Sequence, residues 1–236
     1  EMDDVVERVG KERLFAYASN RFEGNVDGTD VEFAFADKKD YDAETLRSEL
    51  KVGGKPLAVI APHAFSDAPH CDRDMAYADY YLWFVRLLEL TKEVNDVRWA
   101  VKPHPSSSMY DEEGVVESLV QEHDHVQLVP EDVRTDSVLR AADAILTVRG
   151  TIGMEALLFD CQVILAGNAI YESIDSVNLN LNEDDLQEAI RSIRRKTTVP
   201  EQDKVRALAA LYYRNESYNY VSPLFGPERP PGLSPE

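Results

Sequence analysis

Lys102, His104 and Pro105 close an apolar run, Val97–Pro105 (VRWAVKPHP), and Arg149, Gly150, Thr151 and Glu155 follow the end of another in Val148–Glu155 (VRGTIGME). Both runs stop abruptly at a polar loop, which is how a strand buried on both faces of a parallel sheet reads. At the first loop an ammonium and an imidazole can meet a phosphate, one as a point charge and the other as a hydrogen-bond donor. Pro103 and Pro105 fix the backbone on either side of His104 and present its ring at a set angle; a serine run, Ser106–Ser108, follows. At the second loop Gly150 permits close approach, and a helix opening at Thr151 turns backbone N–H groups and one hydroxyl toward an anion. Glu155 lies four residues on, on the same helix face. There it accepts from neutral donors such as ribose hydroxyls, or it is simply an acid near a helix N-terminus with no ligand. Loops after the carboxyl ends of strands meet at the ligand crevice of an open α/β sheet, so both are expected to face one pocket for a phosphorylated ligand.

A third loop, His63–His70 (HAFSDAPH), follows the apolar run Leu57–Pro62. Asp67 paired with His63 has the makings of a general base. His63, Asp67 and His70 are also of metal-ligand type, but one short loop guarantees no mononuclear geometry, and no metal is expected. Tyr171, beyond Gly167-Asn168 on the same side, either stacks on a base or packs its loop down. His123 and His125 flank a helix-to-strand turn and are expected on the solvated surface. Neither a Walker loop nor GxGxxG occurs, so nicotinamide cofactors and ATP hydrolysis have no motif support.

The elements that must position these loops alternate regularly. Strands are expected at Leu57–Pro62, Val97–Val101, Val126–Val129, Ala144–Val148 and Gln162–Ala166. Helices are expected at Tyr77–Val94, Asp111–His123, Thr135–Ala142 (capped by Thr135 or Asp136), Thr151–Phe159, Glu183–Arg195 after an Asn182 cap, and Val205–Tyr213. Such spacing implies βαβ units with right-handed crossovers and a mostly parallel sheet of five to six strands, helices on both faces: a Rossmann-like α/β domain. Its bounds are 52–200. Residues 1–51 form an annex with short helices near Glu1–Arg13 and Tyr41–Leu50, 201–222 a helix packing back, and 223–236 an extended proline-rich tail.

The 236 residues carry 44 acidic against 25 basic side chains, a formal net charge of −19. The longest basic run is Arg194-Arg195-Lys196, which excludes the basic footprint of a nucleic-acid binder and gives no anchor to an acidic membrane. The acid is spread along the chain rather than gathered in a tail, a pattern that favours adaptation to high salt over an ordinary acidic protein. Cys71 and Cys161 stand in unrelated contexts, as two reduced thiols of a cytoplasmic protein do. No stretch has the length to span a bilayer.

Assembled, PHAFSDAPH, DYYLWF, WAVKPHPSSSMY and TVRGTIGMEALLFDCQVILAGNAIYES resemble the capsule polysaccharide biosynthesis family, related to bacterial Kdo transferases and more distantly to CDP-glycerol glycerophosphotransferases and some sialyltransferases. The resemblance covers about 57–175. It implies the nucleotide-binding half of a GT-B glycosyltransferase, inverting, needing no metal or other cofactor, with a nucleotide-sugar (CMP- or CDP-linked) and a glycan acceptor as its partners. It puts donor phosphate at His104 and Pro105, phosphate again at Gly150 and Thr151, and ribose at Glu155; Lys102, Ser106, Arg149 and Ile152, on the same two loops, complete the expected phosphate-binding set. The family's helix-start serine is here Arg149-Gly150-Thr151. Its acceptor half comes first in the chain, whereas some fifty residues precede the donor-like domain here; the expectation is a fragment, a partner polypeptide or homo-oligomer completing the site, or lost transfer activity. A non-catalytic nucleotide- or glycan-binding module and a UDP-sugar 2-epimerase-like enzyme are the alternatives.

Overall fold

In a computed structural model of the chain, residues 2–25, 38–67, 74–105 and 107–216 are described. His70, Cys71, Ser106 and the proline-rich tail lie outside them. β1 (Leu57–Ile60) is buried at every position, as a strand covered on both faces must be. β2 (Arg98–Val101), β3 (Val126–Leu128), β4 (Ala144–Thr147), β5 (Gln162–Leu165) and β6 (Val177–Leu179) complete one sheet in the order β3-β2-β1-β4-β5-β6. Every pairing is parallel. β1 pairs Leu57 with Arg98 on one side and Ala58 with Ala144 on the other. The strand order reverses between β1 and β4, the switch point at which such sheets open a crevice. β6 is a short edge strand that Asn178 and its half-buried neighbours disguise in sequence.

Alternation along the strands divides the core in two. Leu57, Val59, Ile145, Val163 and Leu165 face one side. There they meet α3 (Ala43–Glu49), α6 (Thr135–Ala141), α7 (Ile152–Leu158) and α9 (Glu201–Glu216). Ala58, Ile60, Trp99, Val101, Leu146 and Ile164 face the other. Their partners are α4 (Tyr80–Thr91), α5 (Val115–Gln121) and α8 (Glu183–Arg191). The result is an α/β Rossmann-like domain in three layers. α1 (Met2–Val9) and α2 (Lys11–Phe22) form a hairpin whose Val5, Leu14 and Ala18 pack on Val205, Leu208 and Ala209 of α9.

Several helices differ from the sequence expectation for local reasons. α4 starts at Tyr80 because Asp79 caps it, accepting from Leu82 N at 2.7 Å. The stretch expected as one helix over Asp111–His123 is a 3₁₀ turn, Ser107–Tyr110, followed by α5; Gly114 at φ 78° separates them. α6 is preceded by Arg134, not capped by Thr135 or Asp136, and the Asp136 carboxylate instead accepts from Arg134 and Arg140. Asn182 does cap α8, accepting from Asp185 N at 2.9 Å. His123 corrects the surface expectation. It is 6% exposed, 3.7 Å from Glu89, because the last turn of α4 covers the approach to β3. His125 is tied there too, Nε2 to Thr91 Oγ1 at 2.8 Å. Cys161 is buried and unbridged, its thiol 3.3 Å from Leu139 O. Among the described residues no helix is long and apolar enough to cross a membrane.

Candidate functional site

The loop after β1 carries His63 and Asp67, the loop after β2 carries Lys102 and His104, and the loop after β4 carries Arg149, Gly150 and Thr151. Parallel strands with a reversal between β1 and β4 bring all three to one end of the sheet. The His63 ring stacks on Tyr80, centroids 4.3 Å apart and planes 16° apart. His104 lies beside it at 6.5 Å, nearly parallel. The Arg149 guanidinium sits 5.9 Å from the Tyr80 ring centroid, and Arg149 N–H donates to His63 Nε2 at 3.2 Å. Two histidines, a tyrosine and an arginine from four segments thus form one wall of the crevice. Tyr80 was not among the residues singled out in sequence; it reads as one more apolar position of the DYYLWF helix.

Burial lowers the pKa of both rings, that of His63 strongly. Burial, with the His104 and Arg149 charges next in weight, pushes His63 down to about 3. It is therefore neutral at ordinary pH, and because Nε2 accepts, its proton sits on Nδ1. His104 is also lowered by burial, but Asp67 and Glu112 pull it back toward the charged form. Lys102 donates from Nζ to Val133 O at 3.1 Å. Burial, and then the charge of Lys38, pushes it down to about 8. Lys102 and Arg149 thus stand on two loops at one end of the sheet of a chain whose net charge is −19.

The loop after β4 is shaped by what lies beneath it. Thr151 precedes α7 without a side-chain capping bond. The helix opening is partly self-satisfied: Gly153 N turns back to Gly150 O at 3.1 Å. A Cβ on Gly150 would lie 2.9 Å from Thr147 Oγ1, so only glycine lets the loop pass so close to β4. Of the two alternatives for Tyr171, the structure takes packing. It is 1% exposed, and its hydroxyl donates to Gly150 O at 2.5 Å, leaving no face for a base. A Cβ on Gly153 would lie 2.2 Å from that hydroxyl oxygen. A glycine inside a helix is disfavoured by about 1 kcal/mol, and this was the sequence signal of close packing there.

Glu155 is 3% exposed and paired with Arg21 of α2, itself 2% exposed, at 2.9 Å from both Nε and the terminal nitrogen to Oε1. The same end of α2 is pinned twice more. Arg134 donates to Phe22 O, and the Phe22 ring meets Phe159 edge-on at 5.2 Å. The N-terminal hairpin therefore closes over the acid that the resemblance puts on ribose. Among the described residues no three metal-ligand side chains gather, His63 and Asp67 included.

The structure is similar to a Thermosulfurimonas dismutans KpsC β-Kdo 2,4 transferase, with a TM-score of 0.50 at 16% identity, over 84% of this chain and 54% of that one. The β-Kdo 2,7 transferase of the same KpsC superposes at TM-score 0.44 and 14% identity, over 82% and 57%. A UDP-GlcNAc 2-epimerase from Methanocaldococcus jannaschii superposes at TM-score 0.43 and 16% identity, over 86% and 59%. The chain spans about half the length of these solved structures. No curated protein matches its sequence. The family model described as capsule polysaccharide biosynthesis protein matches residues 76–210, more than half of the chain and the stretch from α4 into α9. Carrying that match on a six-stranded parallel sheet with three polar loops at its carboxyl end, the chain belongs to the capsule polysaccharide biosynthesis family.

Proposed function

We propose that this chain is the donor-binding half of an inverting, metal-independent glycosyltransferase of surface polysaccharide synthesis, taking a CMP- or CDP-linked sugar. The observation that carries it is the juxtaposition of His63, His104 and Arg149, from the loops after β1, β2 and β4, at the switch point of a strongly acidic protein. In this reading the leaving nucleotide keeps the electron pair of the broken anomeric C–O bond. Its phosphate charge is met by His104, Lys102, Arg149 and the loop at Gly150–Thr151, with Pro105 and Ile152 shaping the subsite. The acceptor hydroxyl attacks from the opposite face of the sugar and its proton passes to a base. Asp67 suits that role better than His63, which is neutral and whose Nε2 lone pair is occupied by Arg149 N–H. Contact between Glu155 and ribose requires the Arg21 pair to open as the nucleotide arrives.

That closed pair favours as second reading a non-catalytic nucleotide- or glycan-binding module. Calorimetry in molar KCl with CMP, CDP, UDP and GDP tests both. Selective binding of a cytidine nucleotide, weakened by about 1–3 kcal/mol in His104→Ala and Thr151→Ala, supports the donor half. Selective binding of UDP shifts the assignment to an epimerase-like site, and a folded chain that binds none of the four loses the donor assignment.

A further inference from the structure

We propose that Glu112 is a positioning residue of the nucleotide site, clamping the loop after β1 to the loop after β2 so that Asp67 is held against His104. The inference rests on the donor-half reading above. One Glu112 oxygen accepts from Phe65 N at 2.6 Å; the other accepts from Ser66 N at 2.7 Å and from Ser66 Oγ at 2.6 Å. Two consecutive amides and a hydroxyl on one carboxylate make a strong charge-assisted anchor. The next residue is gripped as well. The Tyr110 hydroxyl bonds to Asp67, which holds the phenol above its ordinary range. Residues Phe65, Ser66 and Asp67 are therefore all fixed by the segment Tyr110–Glu112.

That segment is in turn tied to His104. Ser107 N donates to His104 O at 3.2 Å, and Glu112 N donates to Ser107 O at 3.1 Å. A continuous path of hydrogen bonds thus runs from the backbone of one candidate site residue to the loop bearing the other two. On its far side the loop is braced by Phe65, whose ring meets Tyr81 edge-on at 5.4 Å and Phe84 at 5.9 Å. The groups that act on His104 here are the carboxylates of Asp67 and Glu112, with the neutral His63 ring alongside. Both carboxylates favour the imidazolium that a phosphate would need, and burial opposes it. Glu112 reaches Asp67 through the loop it grips, and its charge also favours the His104 imidazolium.

Imidazole NMR titration of His104, together with calorimetric titration by CMP, reads the clamp in the whole chain. Glu112→Gln keeps the shape but turns one acceptor into a donor facing N–H groups. The expected result is a lower His104 pKa and CMP binding weakened about tenfold, the effect of a lost charge-assisted bond. Ser66→Ala keeps the carboxylate and should leave the titration near that of the parent while weakening CMP by about threefold. Unchanged titration and affinity in Glu112→Gln overturn the proposal. So does a lower pKa with unchanged affinity, which reduces Glu112 to a distant charge. Should Glu112→Gln fail to fold, Tyr110→Phe removes only the bond to Asp67, and unchanged affinity there overturns the proposal equally. A parent chain that binds no nucleotide defeats the donor-half reading alone; the clamp is then judged by the His104 titration of Tyr110→Phe, which removes a bond to Asp67 but no charge, and an unchanged titration there overturns it.

Discussion

The two ends of the sheet handle buried charge in opposite ways. At the amino end, Asp143 is 2% exposed and saturated by donors. It accepts from Leu57 N at 2.8 Å, Arg47 at 2.9 Å and Lys196 N at 3.1 Å, with Arg195 at 3.5 Å. This anion brings β1, α3 and the segment after α8 together and leaves no room for a ligand. At the carboxyl end the Lys102 ammonium is depressed by burial and then by the like charge of Lys38. A protein gains nothing in stability from crowding cations. The buried Lys102 ammonium makes sense as a cost offset when a phosphate arrives, whereas the Asp143 network serves the fold itself.

Breaking the closed end should have the largest effect. Asp143→Ala leaves one buried amide, one half-buried amide and two guanidinium groups without this acceptor and should lower stability by about 3 kcal/mol. Urea unfolding measures this, and nucleotide affinity per folded molecule should stay as in the parent. An equal loss of affinity would mean that the two ends are not independent. Next comes Gly153→Ala, whose new methyl collides with the Tyr171 hydroxyl; overpacking of this kind costs about 2 kcal/mol. Tyr171→Phe removes the nearest oxygen, so the double variant should recover part of the loss, and strict additivity would refute the collision.

How much of this contrast is legible in the sequence follows from how local its causes are. The strands and the three polar loops are readable because each is a continuous apolar run with an abrupt end. Asn182 is readable as a cap because capping acts over three residues. Strand order is not, since alternation implies parallel pairing but does not say that β4 lies beside β1. The Arg21–Glu155 pair joins residues 134 apart in sequence, and no periodicity announces it. His123 reads as a solvated turn until α4 is laid over it. Tyr171 was half legible: a phenol in a ligand-side loop fits stacking or packing, and only Gly153, a glycine placed within a helix, hinted at which.

The open end should respond in the opposite sense. Lys102→Met removes a half-buried ammonium that burial disfavours, so the fold should lose less than about 0.5 kcal/mol while nucleotide affinity falls by about 1–2 kcal/mol. Calorimetry beside thermal unfolding separates the two, and a stability loss as large as that of Asp143→Ala would make Lys102 structural.

The smallest and sharpest effect is in pH. The Lys102 ammonium is pushed down to about 8 in the fold against an ordinary 10.5, so between those values the unfolded chain holds the proton more often. This group's share of stability therefore rises with pH across that window. Nucleotide binding should run the other way. A bound phosphate favours the ammonium, so binding takes up a proton above pH 8 and weakens with each further unit, up to about tenfold per unit at the limit of full coupling. Phosphate monoesters are already dianionic there, so the ligand adds no slope of its own. Binding that weakens while stability rises over one pH window, with the binding slope abolished by Lys102→Met, would separate a ligand-directed cation from a structural one. A slope that survives the substitution would move the coupled proton to another group of the crevice.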